Sequence, residues 1–172
     1  MIFRRWIVSL LAAGIIAGCM TASADDFSGE KTLGVRTGYN TRNREPLAGI
    51  EFTYRFNRLL RLAPSAEYVF RRDGRDALML NLNAQFVFPL AGGRCNLFPL
   101  AGINYSSWNY HPSATGNYTD DVSSRVSRFG LNAGAGVDTN LTGSLRLSLS
   151  GQYTFIKSFG GVNICAGIHY RF

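Results

Sequence analysis

The stretch Leu145-Arg146-Leu147-Ser148-Leu149-Ser150-Gly151-Gln152-Tyr153-Thr154-Phe155 alternates apolar and polar residues without a break. Alternation at period two puts every second side chain on one face of an extended strand; a helix would repeat at 3.6. The same pattern runs through Ile50, Phe52, Tyr54 and Phe56, interleaved with Glu51, Thr53 and Arg55. It runs through Leu78, Leu80, Leu82, Ala84, Phe86 and Phe88, and again through Val162, Ile164, Ala166, Ile168, Tyr170 and Phe172. Four weaker runs, Thr32–Tyr39, Leu60–Arg71, Leu97–Tyr110 and Phe129–Leu141, bring the total to eight strands of about 8–14 residues, with no helical stretch between them. Short connections make neighbouring strands antiparallel.

The turns alternate in kind. Asn57-Arg58, Leu90–Arg94 and Thr139–Gly143 are short; Asn40–Pro46, Arg72–Arg75, His111–Ser124 and Lys157–Gly160 lie at the other end, and His111–Ser124 is the longest. Short turns on one rim and longer loops on the other are the pattern of outer-membrane barrels. A soluble barrel with the apolar face inside is the competing solid. Its outer face would meet bulk water and carry many Lys and Glu. Here the polar face carries Gly34, Gly38, Gly49, Asn81, Asn83, Gln85, Gly102, Asn104, Ser106, Asn132, Gly134, Gly136, Ser148, Ser150, Gln152, Asn163 and Gly167. Small neutral side chains of this kind fit a narrow eight-stranded lumen. Aromatics gather near strand ends (Tyr39, Tyr54, Phe56, Tyr68, Phe70, Phe86, Phe88, Tyr153, Phe155, Tyr170, Phe172), as interface girdles do. The fold class read from the pattern is therefore all-β: an eight-stranded antiparallel up-and-down transmembrane β-barrel.

Composition agrees. The 172 residues hold 19 Gly, 8 Tyr and 12 Phe with only 17% charged residues, which excludes a disordered chain, a coiled coil and a collagen. No apolar run reaches the roughly 18–20 residues of a spanning helix. Residues 1–24 read as a secretory signal peptide: Arg4 and Arg5, an apolar Trp6–Gly18, then Ala22-Ser23-Ala24 with cleavage after Ala24. Ile16-Ala17-Gly18-Cys19 resembles a lipobox and competes as a processing site; a spanning barrel needs no lipid anchor, which favours Ala24. The barrel domain is then 25–172. Without Arg4 and Arg5, 16 basic residues face 11 acidic ones, a net charge of +5. Cys95 is placed at a periplasmic turn and Cys165 well above the terminus, separated in height by more than the ~7 Å a disulfide tolerates, so no bridge between them is expected.

The chain ends Gly167-Ile168-His169-Tyr170-Arg171-Phe172, with Ile168, Tyr170 and the terminal Phe172 alternating. This ending resembles the signal by which bacterial outer-membrane barrels are recognised by the barrel assembly machinery. With the signal peptide and eight strands, residues 31–172 resemble the small OmpA/OmpX-like outer-membrane barrel family. The resemblance implies a monomeric barrel in the bacterial outer membrane, in contact with outer-membrane lipid and lipopolysaccharide. Such families are mostly structural, adhesive or surface-exposed; some members are enzymes acting on lipid A. No appended peptidoglycan-binding domain is expected.

Candidate sites follow from register and parity. Symmetric closure of the first hairpin sets Arg36 opposite Glu51, with Glu51 within one pair of Glu67. Asp138 and Arg146 are expected to face each other across Thr139–Gly143. This lumen charge cluster reads as a structural plug, with an ion gate or a pair of acid/base carboxylates as the sharper alternatives. The outer-loop residues Arg42, Arg44, Arg71, Arg72 and Arg75 suit bidentate contact with lipopolysaccharide phosphates, or else form a solvated rim. His111-Pro112-Ser113, with Asp120 or Asp121, resembles weakly the His-x-Ser of lipid A deacylases; Pro112 departs from a strand-borne site. Trp108, Tyr110 and Tyr118 could serve partner contact. His169 reads as a hydrogen-bonded lumen residue. No catalytic residue, metal ligand or cofactor site is assigned, Gly130–Gly136 lacks the helix of a phosphate loop, and nucleic-acid binding is not implied. The reading is a non-enzymatic envelope-structural or surface-interaction protein; a narrow passive channel, a lipid A-modifying enzyme and a soluble lipocalin-like binder are its rivals. Arginine at Leu80 or Leu147 should cost roughly 2–4 kcal/mol if that face meets hydrocarbon at mid-depth.

Overall fold

The computed structural model describes residues 29–42, 44–72, 75–90, 94–110, 124–157 and 160–172. The expected signal peptide with its lipobox-like Ile16–Cys19, and His111, Ser113, Tyr118, Asp120 and Asp121, lie outside these residues. The described strands are β1 (Lys31–Asn40), β2 (Glu45–Arg55), β3 (Leu60–Arg72), β4 (Arg75–Phe86), β5 (Phe88–Leu90), β6 (Cys95–Tyr110), β7 (Ser124–Asn140), β8 (Leu145–Phe155) and β9 (Gly161–Arg171). β4 and β5 are one stave interrupted at Val87, so nine segments build eight staves. All pair antiparallel with their chain neighbours, and β1 pairs β9, which closes the cylinder.

Closure satisfies the backbone of every stave across the membrane and leaves the sheet no edge there. The parity is the one read from the sequence. Leu33, Val35, Ile50, Leu80, Leu82, Ile103, Leu131, Ile164 and Ile168 are exposed on the outer wall. Asn81, Asn83, Gln85, Asn104, Asn132, Gln152 and Asn163 are buried inside it. The wall aromatics pair along their strands: Tyr54 with Phe56 at 4.8 Å, Tyr68 with Phe70 at 5.5 Å, Tyr153 with Phe155 at 4.6 Å. A fourth pair, Tyr105 with Phe129 at 5.1 Å, joins two strands and was not among the predicted girdle residues.

Two details depart from the sequence reading. The predicted loop Asn40–Pro46 is shorter: Asn40 pairs with Glu45 and Tyr39 with Pro46, and Arg44 takes a left-handed φ of 56° to make the turn. The pair β6/β7 is also longer than predicted. β7 starts at Ser124, five residues before the expected Phe129.

Gly49 shows how the narrow cylinder accommodates a large charge. It stands directly between Arg36 and Glu67 in the cross-strand row. A Cβ there would come within 2.2 Å of the Ala66 carbonyl oxygen. Gly49→Ala is expected to destabilise the barrel by roughly 1–3 kcal/mol, an overpacking cost, measured by urea unfolding in lipid vesicles.

Candidate functional site

The lumen is filled in three layers. The outermost is apolar: Leu47, Val69, Ala77, Met79, Trp108 and Cys165 form one buried cluster, and the Trp108 indole N–H donates to Ser106 Oγ at 3.2 Å. Cys165 is a free buried thiol, so it forms no bridge with Cys95. Trp108, expected in a partner-facing position, is 1% exposed and part of this plug.

The middle layer is ionic and amide-rich. Arg36 Nη1 donates to Glu51 Oε2 at 2.5 Å, its Nε lies 3.3 Å from Glu67 Oε1, and Nη2 reaches Ser150 Oγ at 3.3 Å. Ser65 donates to Glu67. An amide ladder continues around the wall: Asn104 and Asn132 both donate to Asn81 Oδ1, Asn132 also to Asn83 Oδ1, and Asn83 to Gln152 Oε1. Charges in a low-dielectric interior are tolerable only when paired and hydrogen-bonded. Each charge here has an ionic partner and at least one hydrogen bond, although Arg36 Nε and Glu67 Oε2 make none.

The layer nearest the periplasm centres on Asp138. It accepts from Arg61 Nη2 at 2.7 Å and Asn96 Nδ2 at 2.7 Å, with Arg146 Nε at 3.8 Å. Arg61 also donates to Gln85 and lies 4.8 Å over the Phe98 ring, a cation–π contact. Arg146 is paired with Glu30, whose other oxygen lies 3.5 Å from Arg171 Nε. Val87, Phe98 and Leu100 form an apolar cluster in this half of the barrel. Between the layers sits a cavity of about 10 Å³ lined by Thr32, Glu51, Thr53, Arg61, Phe98, Asp138, Arg146, Ser148 and His169. That is room for about one water. The His169 Nε2 is 3.0 Å from Ser148 Oγ and 3.7 Å from Glu51 Oε1.

The structure therefore brings Arg36, Glu51 and Glu67 together, and Asp138 with Arg146, but not by the pairing expected. Arg36 is opposite Gly49 and Asp138 is opposite Ser148; each predicted pair is offset by two residues. Both contacts are diagonal, spanned by the length of the arginine. The sequence reading missed Arg61 and Glu30, the partners of Asp138 and Arg146 in the periplasmic layer. Parity alone could have placed Arg61 inside, since it shares the inward face with Ser65 and Glu67.

The outer-loop arginines differ in their surroundings. Arg42 is exposed, but its Nη1 donates to the Gly160 carbonyl at 2.7 Å, tying the first outer turn to the last. Arg71 Nη2 is 3.6 Å from Asp76 and 54% exposed; Arg44 is exposed and Arg75 half-buried. The Arg72 side chain lies outside the described residues. A broader segregation emerges instead. Every described carboxylate (Glu30, Glu45, Glu51, Glu67, Asp76, Asp138) is buried, and all but Asp76, which lies on the outer face beside Arg71 and accepts from Asn109, are turned inward. The fully exposed described charges (Lys31, Arg42, Arg44, Arg58, Arg71, Arg94, Arg125, Arg128, Lys157) are all basic.

A closed antiparallel cylinder with a greasy wall and a packed polar lumen defines the class: a β-barrel that spans the bacterial outer membrane. The sequence matches the family described as outer membrane protein beta-barrel domain over residues 10–172, and the chain belongs to that family. A search of the curated proteins finds no match. Among solved structures, the N-terminal β-barrel domain of OprF from Pseudomonas aeruginosa superposes with a TM-score of 0.69 at 17% identity, covering 86% of this chain and 100% of that one. Neisserial surface protein A gives 0.63 at 14% identity, covering 83% and 95%. Ail, the attachment invasion locus protein of Yersinia pestis, gives 0.59 at 17%, covering 84% and 99%. At these identities the likeness is one of fold.

Proposed function

We propose that this protein is a non-enzymatic barrel whose work is done at its outer rim, on a cylinder too well filled to conduct. The observation that carries this reading is the three-layered lumen, which leaves space for about one water in the cavity between Arg61, Asp138 and His169. The rim reading is supported by the exposed Arg44 and Arg71, with Arg42, as bidentate donors for lipopolysaccharide phosphates. Phosphate contact also suits the burial of every described carboxylate, which leaves the exposed charges among the described residues all basic. The same reading takes Ile168, Tyr170 and Phe172 as the signal for the barrel assembly machinery, and cleavage after Ala24 as the processing step.

The test is conductance. Purified protein folded into planar bilayers should show no discrete current steps, and overproduction should leave lipid A unchanged by mass spectrometry. Regular current steps, or a lipid A species of altered mass that depends on the protein, would each overturn the reading. Arg44→Ala with Arg71→Ala should weaken co-purification of lipopolysaccharide without changing heat-modifiable gel mobility, the mark of a folded barrel.

A further inference from the structure

β7 overshoots its neighbour. Ser124–Asn140 pairs with β6 along its whole length, from Tyr110↔Ser124 to Cys95↔Thr139. On its other side, pairing with β8 begins only at Leu131↔Phe155. The upper segment Ser124–Gly130 thus has one paired side and, among the described residues, one bare side.

The direction of its hydrogen bonds follows from the register. Asn140 N–H donates to Arg94 O, so even-numbered residues of β7 bond toward β6. The register with β6 runs one to one, without a shift, up to Ser124. Arg125, Ser127 and Phe129 therefore point N–H and C=O away from β6, where β8 no longer reaches. Unpaired backbone cannot sit in hydrocarbon, so this edge stands in water above the membrane. Phe129, 80% exposed and in tilted ring contact with Tyr105, marks the interface at its foot.

An edge whose donors and acceptors have no partner among the described residues templates one more strand. Its charge selects which. Arg125 and Arg128 lie on it, exposed, on opposite faces, and Lys157 follows the end of β8; no described carboxylate is exposed nearby. A second copy of this chain would bring arginines against arginines. We infer that Ser124–Gly130 is a docking edge for an extended acidic peptide segment of another protein, added as a strand antiparallel or parallel to β7. This deepens the rim reading above and rests on it for the outward orientation.

The probe is a synthetic ten-residue peptide alternating Thr or Val with Glu, added to the full-length barrel in detergent and followed by fluorescence polarisation. Saturable binding is expected. It should fall by roughly tenfold or more when alternate backbone nitrogens of the peptide are methylated, and similarly in Ser127→Pro. That proline removes an N–H outside the β6 ladder and one exposed side-chain bond, the Ser127 hydroxyl that accepts from Tyr105 at 3.1 Å, so the barrel should keep its heat-modifiable mobility. Arg125→Glu with Arg128→Glu should also abolish binding, and a Lys-for-Glu peptide should not bind. No binding by the native protein, or binding indifferent to both N-methylation and Ser127→Pro, overturns the inference. So does self-association of the barrel that Ser127→Pro abolishes, since the occupant would then be a second copy. Conductance is read separately: a conducting barrel that still binds the peptide refutes the filled-lumen reading alone, and a silent barrel that ignores it refutes the edge alone.

Discussion

Arg36→Met should destabilise the folded barrel by about 3–5 kcal/mol, the largest effect expected of any single lumen substitution. The guanidinium is the shared partner of two buried carboxylates, at 2.5 Å from Glu51 and 3.3 Å from Glu67. Glu51 and Glu67 are one pair apart on adjacent strands, since Gly49 is opposite Glu67 and Glu51 opposite Ser65. Without Arg36, two like charges would share a dry interior with only serine and asparagine donors. The effect is one of leaving charge unpaired, so it should be largely reversed by adding Glu51→Gln and Glu67→Gln to Arg36→Met. Urea unfolding in vesicles of the single and triple variants measures both. A triple variant as unstable as the single one would show that the loss lies in packing over Gly49 and not in charge.

Arginine on the outer wall should be nearly as costly. Ile50→Arg and Leu80→Arg are each expected to lose roughly 2–4 kcal/mol, because both lie at the middle of their strands with side chains toward lipid. Leu147 faces the same way but is the third residue of β8, just past the periplasmic turn Leu141–Ser144. Its arginine can reach the interface, so Leu147→Arg should cost less than Leu80→Arg. Equal costs at all three positions would argue against a depth-dependent environment outside the barrel.

The faces were legible in the sequence and the register was not, for one physical reason. A strand alternates with period two, so a slip of two residues leaves every side chain on its face while changing every partner. The first hairpin slipped by two because Pro46 read as a turn residue, whereas it pairs with Tyr39 and the turn is made instead by Arg44 in a left-handed conformation. Arginine is a poor signal for such a position, which asparagine or glycine usually fills. The lumen ion pairs formed all the same, because an arginine side chain spans a diagonal neighbour. Arg61 was overlooked because it sits among Leu60, Leu62 and Ala63, where the alternation is weak. The height of β6 and β7 was hidden as well: Ser124-Arg125-Val126-Ser127-Arg128 carries the polarity of a loop, since a strand above the membrane has no lipid-facing side to keep apolar.

The central claim is that the apolar face looks out into lipid. Its most direct test is quenching by acyl chains brominated near the bilayer centre. In a Trp108→Phe background, an indole at Ile50→Trp or Leu80→Trp should be strongly quenched, while the native Trp108 of the unmutated protein, enclosed among Leu47, Val69 and Met79, should be nearly untouched. Strong quenching of Trp108 with none at the wall positions would mean that the cylinder is inside out.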